Sequence, residues 1–131
     1  MRVLEAFADA IMQYEGWKPG SRSWRNRNPG NMRHATMQVG DDGGYAVFAT
    51  LGDGWESLLF DIRAKCQGAP MTKTGLGPES TFEEFFQVWA PSADNNHPAQ
   101  YAKFVAECLT KTCQKPFTPE SKLKTVYPAL G

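Results

Sequence analysis

The chain has 131 residues, 41% of them hydrophobic and 21% charged, with 14 basic side chains balanced by 14 acidic ones. That composition suits one soluble domain with a real core, and the zero net charge excludes a chain that gathers nucleic acid by overall attraction. No apolar run approaches the roughly 18 residues of a membrane-spanning helix, so no membrane span is expected.

In chain order, Val3, Leu4, Phe7, Ala10, Ile11 and Tyr14 recur at three- and four-residue spacing, which predicts an amphipathic helix over roughly 3–15. The acids within "MRVLEAFADAIMQYEG" do not fit a secretory signal. The expectation is synthesis in a bacterial cytoplasm, with export by another route or none. Gly16 and "KPG" stop the helix and leave Glu15 at its end, between aromatics. Residues 18–35, "KPGSRSWRNRNPGNMRHA", read as a long loop with a turn at "NPGN". Its Arg22, Arg25, Arg27 and Arg33 are read as a solvated basic loop ahead of a polyanion site.

"TMQV" and "YAVF", joined by "GDDGG", predict a small β-hairpin. The helical period restarts at Trp55, Leu58, Leu59 and Ile62, with Asp53 and Glu56 as a capping-box-like start and Gly68 as a stop. A Gly/Pro loop over 69–80 precedes "TFEEFFQVWA", a short helix capped by Thr81. "PSADNNHPAQ" breaks it, and Pro98 opens a helix that turns Tyr101, Phe104, Val105 and Cys108 inward. "TPESKLKTVY" predicts a last helix, with Thr118 as cap and Pro119 in its first turn. The class is mostly α with a small β-hairpin, α+β, in a single domain over 1–131 and as a monomer.

Several chemistries are excluded by residue placement. Cys66, Cys108 and Cys113 have no metal-type spacing, and Cys66 and Cys108 fall toward helix C-termini, where the dipole opposes a thiolate. They are read as reduced thiols; outside a reducing compartment a Cys66–Cys108 bridge is open to the chain. His34 and His97 lie in loops without partner ligands, and "GDDGG" would repel phosphate. No metal and no cofactor are expected. Carboxylate chemistry remains. A helix C-terminus and flanking aromatics both favour a protonated acid, and Glu15 has both, although a solvated helix-end Glu explains the same local sequence.

Four blocks in order, a helix ending in Glu15, "RNRNPGNMRH", "GGYAVFATLGDGWESLL" and "WAPSADNNHPAQYAKFV", span roughly residues 8–109. Together they resemble phage and prophage lysozyme-like proteins, relatives of the goose-type lysozymes and lytic transglycosylases that cleave peptidoglycan. The resemblance implies a lysozyme-like fold in which Glu15 is the catalytic acid. Asn28 to Asn31 would form a wall of the saccharide groove, followed by the strand at Tyr45, and Tyr101 would be a cleft tyrosine. The "GLMQ" run of the transglycosylases is missing, with "NPGNMR" in its place.

The expected reaction is cleavage of the β-1,4 bond between N-acetylmuramic acid and N-acetylglucosamine, with Asp41 or Asp42 as candidate second carboxylates. Asn28, Asn31, Asn95 and Asn96 suit sugar amides and hydroxyls, Trp24 or Trp89 a sugar face, and Arg33, Tyr45 and Tyr101 complete the expected substrate contacts. Each has a plainer reading: turn formers for "NPGN", a helix cap for Asn95 and Asn96, core for Trp89, and a solvated turn for Asp41 and Asp42. The partners implied are peptidoglycan strands and other virion proteins, and the place of action is the periplasm or cell wall. The alternative is an inactive saccharide-binding or virion structural protein of the same shape; a nucleic-acid binder using the arginine loop ranks third.

Overall fold

The computed structural model describes residues 2–68 and 73–128, with Asp94 described by its backbone alone. Helix α1 spans Val3–Tyr14 and buries Leu4, Ala6, Phe7, Ala8, Ala10 and Ile11. Its end is a Schellman closure. Gly16, at φ +81°, donates its N–H to Gln13 O, and Trp17 N–H reaches Met12 O. Glycine adopts that left-handed geometry without a Cβ penalty, so the chain turns away immediately after Glu15.

The expected long loop contains one short helix, α2, at Arg22–Arg25, capped by Ser21, whose hydroxyl accepts from Trp24 N–H. Strands β1 (Gly40–Asp42) and β2 (Tyr45–Val47) pair antiparallel, with Asp41 opposite Ala46. The hairpin is therefore shorter than expected and shifted. "TMQV" is not the first strand, because Gln38 closes a turn onto Ala35 through both its backbone N–H and its side chain. Asp41 and Asp42 belong to the ladder rather than the turn, which is Gly43–Gly44, both at positive φ as a two-residue hairpin requires.

Helix α3, Leu51–Gln67, starts two residues before Asp53: Thr50 is the cap, its hydroxyl accepting from Asp53 N–H, and Gly68 ends the helix at φ +71° as expected. The helix lies directly on the long loop at Gly54, where an added Cβ would sit 2.0 Å from Arg27 O. Of the expected 69–80 loop, residues 69–72 lie outside the described residues.

Helix α4, Phe82–Trp89, has the full Thr81–Glu84 capping box, and α5, Pro98–Cys113, begins with Pro98. The expected last helix does not form. Two of the first N–H groups of α4, on Phe82 and Glu83, donate to Ser121 O and Pro119 O, and Leu123 N–H returns to Ser80 O. Those carbonyls satisfy donors that a helix start leaves open, so the segment is held extended at Lys122, with only a 3-10 turn at Leu123–Thr125.

The core centres on Phe7. Phe82 and Phe85 meet its ring edge-on at 5.3 and 5.1 Å, and Phe86 stacks at 5.7 Å. Helix α5 packs against both α1 and α4, and one buried cluster draws on α1, α3, α4, α5 and β2. Burying such a ring contributes roughly 2–3 kcal/mol. The fold is mostly α with a two-stranded antiparallel sheet, the α+β class expected. Among the described residues no helix is long and apolar enough to cross a membrane.

Candidate active site

Glu15 lines a groove of 460 Å³ together with Asn31, Arg33, Tyr45, Asp61, Trp89 and Asn96. The end of α1, the loop before the hairpin, β2, α3, the end of α4 and the segment after it converge there. The groove shares Met32, His34 and Asp61 with a neighbouring depression of 810 Å³ that runs past Met37 and Phe60.

The Glu15 carboxyl is held from two sides. Tyr101 donates its hydroxyl to Oε2 at 2.7 Å, and Asn31 Nδ2 lies 3.5 Å from Oε1. Burial raises the Glu15 pKa above the ordinary 4.5, and the bonds from Tyr101 and Asn31 pull against it. The net shift is upward, toward the protonated form relative to an ordinary carboxyl. Tyr101 is itself buried under Tyr14 and Phe86, stacked at 3.8 and 4.2 Å. Burial first, then the Glu15 charge and hydrogen bond, push its pKa well up, so it acts as a donor rather than a phenolate.

Asn31 sits in the left-handed region at φ +48°, which asparagine tolerates better than most residues. Its Oδ1 is buried and has no hydrogen-bond donor. An unanswered buried acceptor is costly.

The expected site residues divide into two groups. Glu15, Asn31, Arg33, Tyr45 and Asn96 line the groove, and so does Trp89, which also packs on the core. Tyr101 stands behind Glu15 at 1% exposure, so it positions the carboxyl and does not face the groove.

Asn28 is a correction. Its side chain is fully buried, donating to Met32 O at 2.8 Å and Ala46 O at 2.9 Å and accepting from Met32 N–H at 2.9 Å. It ties the loop to β2 and cannot touch a ligand. Trp24 is exposed and does not line the groove. Asp41 accepts from Gly44 N–H and Asp42 from Asn26 Nδ2, and neither lines the groove. Asn95 ends a 3-10 turn at φ +64° and is exposed; neither it nor Asn96 caps α5, whose cap position is His97.

The structure adds Asp61 and Lys65, which sequence reasoning missed. They form an ion pair at 2.6 Å on α3, and Lys65 Nζ lies 5.6 Å from the Trp89 ring centroid. Their signal was an i,i+4 charge pair inside the apolar run of α3. His34 and Pro91 also line the groove. Cys66, Cys108 and Cys113 are all free, so the Cys66–Cys108 bridge is absent; burial pushes the Cys66 thiol up to about 12.

Comparison with protein-family models, with curated proteins and with solved structures gives no match to this chain.

Proposed function

We propose that this protein cleaves the β-1,4 glycosidic bond between N-acetylmuramic acid and N-acetylglucosamine in peptidoglycan, with Glu15 as general acid and then base, on a lysozyme-like scaffold. The observation that carries this reading is the Glu15 carboxyl itself. It is raised by burial, oriented by Tyr101 and open to a polar groove. A raised pKa suits a carboxyl that must deliver a proton to a leaving oxygen. The depression adjoining the groove through Met32, His34 and Asp61 suits a ligand longer than one sugar.

The chemistry follows from having one available carboxylate. Glu15 gives its proton to the glycosidic oxygen as the C1–O bond breaks. The resulting carboxylate takes the proton of the muramyl 6-hydroxyl, whose oxygen closes onto C1. The product is a 1,6-anhydro end, and Glu15 is protonated again with no water consumed. The other carboxylate lining the groove, Asp61, is engaged by Lys65, so a free base for a water molecule is not in evidence among the described residues. Action on the periplasmic face of a bacterial wall, delivered by a virion or another route, belongs to the same proposal.

The test is clearing of purified sacculi by wild type and Glu15→Gln, with mass spectrometry of the released fragments. Loss of about 100-fold or more in rate is expected for Glu15→Gln. Anhydro ends support the single-carboxylate route, and reducing ends replace it with hydrolysis. A wild-type protein that binds sacculi and releases nothing makes the groove a saccharide-binding module.

A further inference from the structure

Tyr45 forms part of the groove wall, and two guanidinium groups lie against its ring. Arg22 is 4.4 Å and Arg33 4.6 Å from the ring centroid. Arg33 Nη2 also donates to the Tyr45 hydroxyl at 3.4 Å, and its Nη1 is close enough to the hairpin turn that a Cβ on Gly44 would sit 3.3 Å away.

Neither cation is neutralised. Among the described residues, the ion pairs join Lys65 to Asp61 and Lys122 and Lys124 to Glu79. The hairpin acids hydrogen-bond elsewhere, Asp42 with Asn26 and Asp41 with Gly44 N–H. Two like charges gathered on one ring repel each other, and an anion bound beside either one relieves that repulsion. Stacking uses the face of a guanidinium and leaves N–H groups on its edge, a fork that matches a carboxylate.

We propose that Arg33, held on Tyr45 in the groove wall and with Arg22 adding positive charge on the same ring, forms an anion subsite that takes a carboxylate carried by the glycan strand. This rests on the peptidoglycan reading of the groove. Two groups on such a strand supply that chemistry: the peptide stem and the free lactyl group of a stem-free muramic acid. The subsite makes the enzyme selective for acidic strands over neutral N-acetylglucosamine polymers of equal length.

Calorimetry in the Glu15→Gln background avoids turnover and tests this with three probes. They are a stem-bearing glycan fragment, the same fragment with its stems removed, and a neutral N-acetylglucosamine oligomer. At low salt, about tenfold tighter binding of an acidic probe over the neutral one is expected. The preference, read within each variant as the ratio of acidic to neutral affinity, disappears in Arg33→Gln and in the Arg22→Gln/Arg33→Gln pair, while circular dichroism melts of both variants report an intact fold. Preference for the stem-bearing probe alone assigns the stem; equal preference for both acidic probes assigns the lactyl group. Equal binding of all three probes, or a preference that survives the double variant, overturns the subsite. Absence of binding to any probe overturns it together with the saccharide groove. Cleavage by Glu15→Gln at the wild-type rate removes only the catalytic role of Glu15, and the binding comparison still decides the subsite.

Discussion

The Tyr101 hydroxyl donates to Glu15 Oε2 over 2.7 Å, joining the end of α1 to the first turns of α5 across 86 residues of chain. This bond stabilises the carboxylate, against a burial that favours the acid. Removing it leaves Glu15 protonated to higher pH and less well aimed. Tyr101→Phe is expected to shift the alkaline limb of the sacculus-clearing profile upward and to lower the maximum rate by about tenfold. A loss of rate with no movement of that limb would mean that Tyr101 acts only through packing.

Glu15 also costs stability at neutral pH, and the sign follows from its raised pKa. Below the ordinary carboxylate value of 4.5 the group is protonated in both folded and unfolded chains, so nothing is lost. As pH rises toward the raised folded value, the unfolded chain ionises first and the folded state weakens. Above that value the loss is complete. Glu15→Gln carries no charge and keeps an acceptor for Tyr101, and its Nε2, placed where Oε1 was, faces Asn31 Nδ2, so the Asn31 amide must turn over to accept from it. Thermal melts should place it above wild type at neutral pH, with the gap narrowing as pH falls through the raised folded value toward 4.5. A constant gap across that range would show that the carboxyl is not penalised.

Asn28→Ala separates a structural asparagine from a ligand-binding one. The substitution strips hydrogen bonds from Met32 N–H, Met32 O and Ala46 O, of which Met32 O keeps its bond from Ala46 N–H. Buried groups left without partners cost about 1–3 kcal/mol each, so urea unfolding should show a loss of about 2–4 kcal/mol. At temperatures where the variant is folded, its KM for cell-wall substrate should match wild type. A raised KM with unchanged stability would return Asn28 to the groove.

Gly54→Ala tests the contact between α3 and the long loop. The new methyl would lie 2.0 Å from Arg27 O and 3.0 Å from Pro29 Cδ. A backbone carbonyl cannot yield as a flexible side chain does, so a loss of about 3 kcal/mol or more is expected in chemical denaturation. Gly52→Ala, two residues earlier, has open space, its nearest neighbour being Thr50 Oγ1 at 3.7 Å, and should fold normally. Equal stability of the two variants would mean that α3 does not rest on the loop.

Much of the helical scaffold was legible in the chain because its signals are local. The period of Leu4, Phe7 and Ile11, the glycines at 16 and 68, Thr81 with Glu84, and Pro98 each act within a few residues. The groove was legible only where a residue's place follows from an element boundary, as Glu15 follows from the end of α1. Asn28 and Asn31 read alike in "NPGN", yet one is buried on β2 and the other reaches Glu15, because neighbours distant in sequence decide where each amide points. Asp61 and Lys65 look like an ordinary surface pair until α4 brings Trp89 against Lys65. The last segment carried a cap and a proline suited to a helix, but its carbonyls serve the open N–H groups of α4 instead. Sequence alone therefore determined which segments coil and where they stop, through backbone preferences and hydrophobic period. Only the tertiary structure decided which polar side chains share the groove, because burial and hydrogen-bond partners come from segments far apart in the chain.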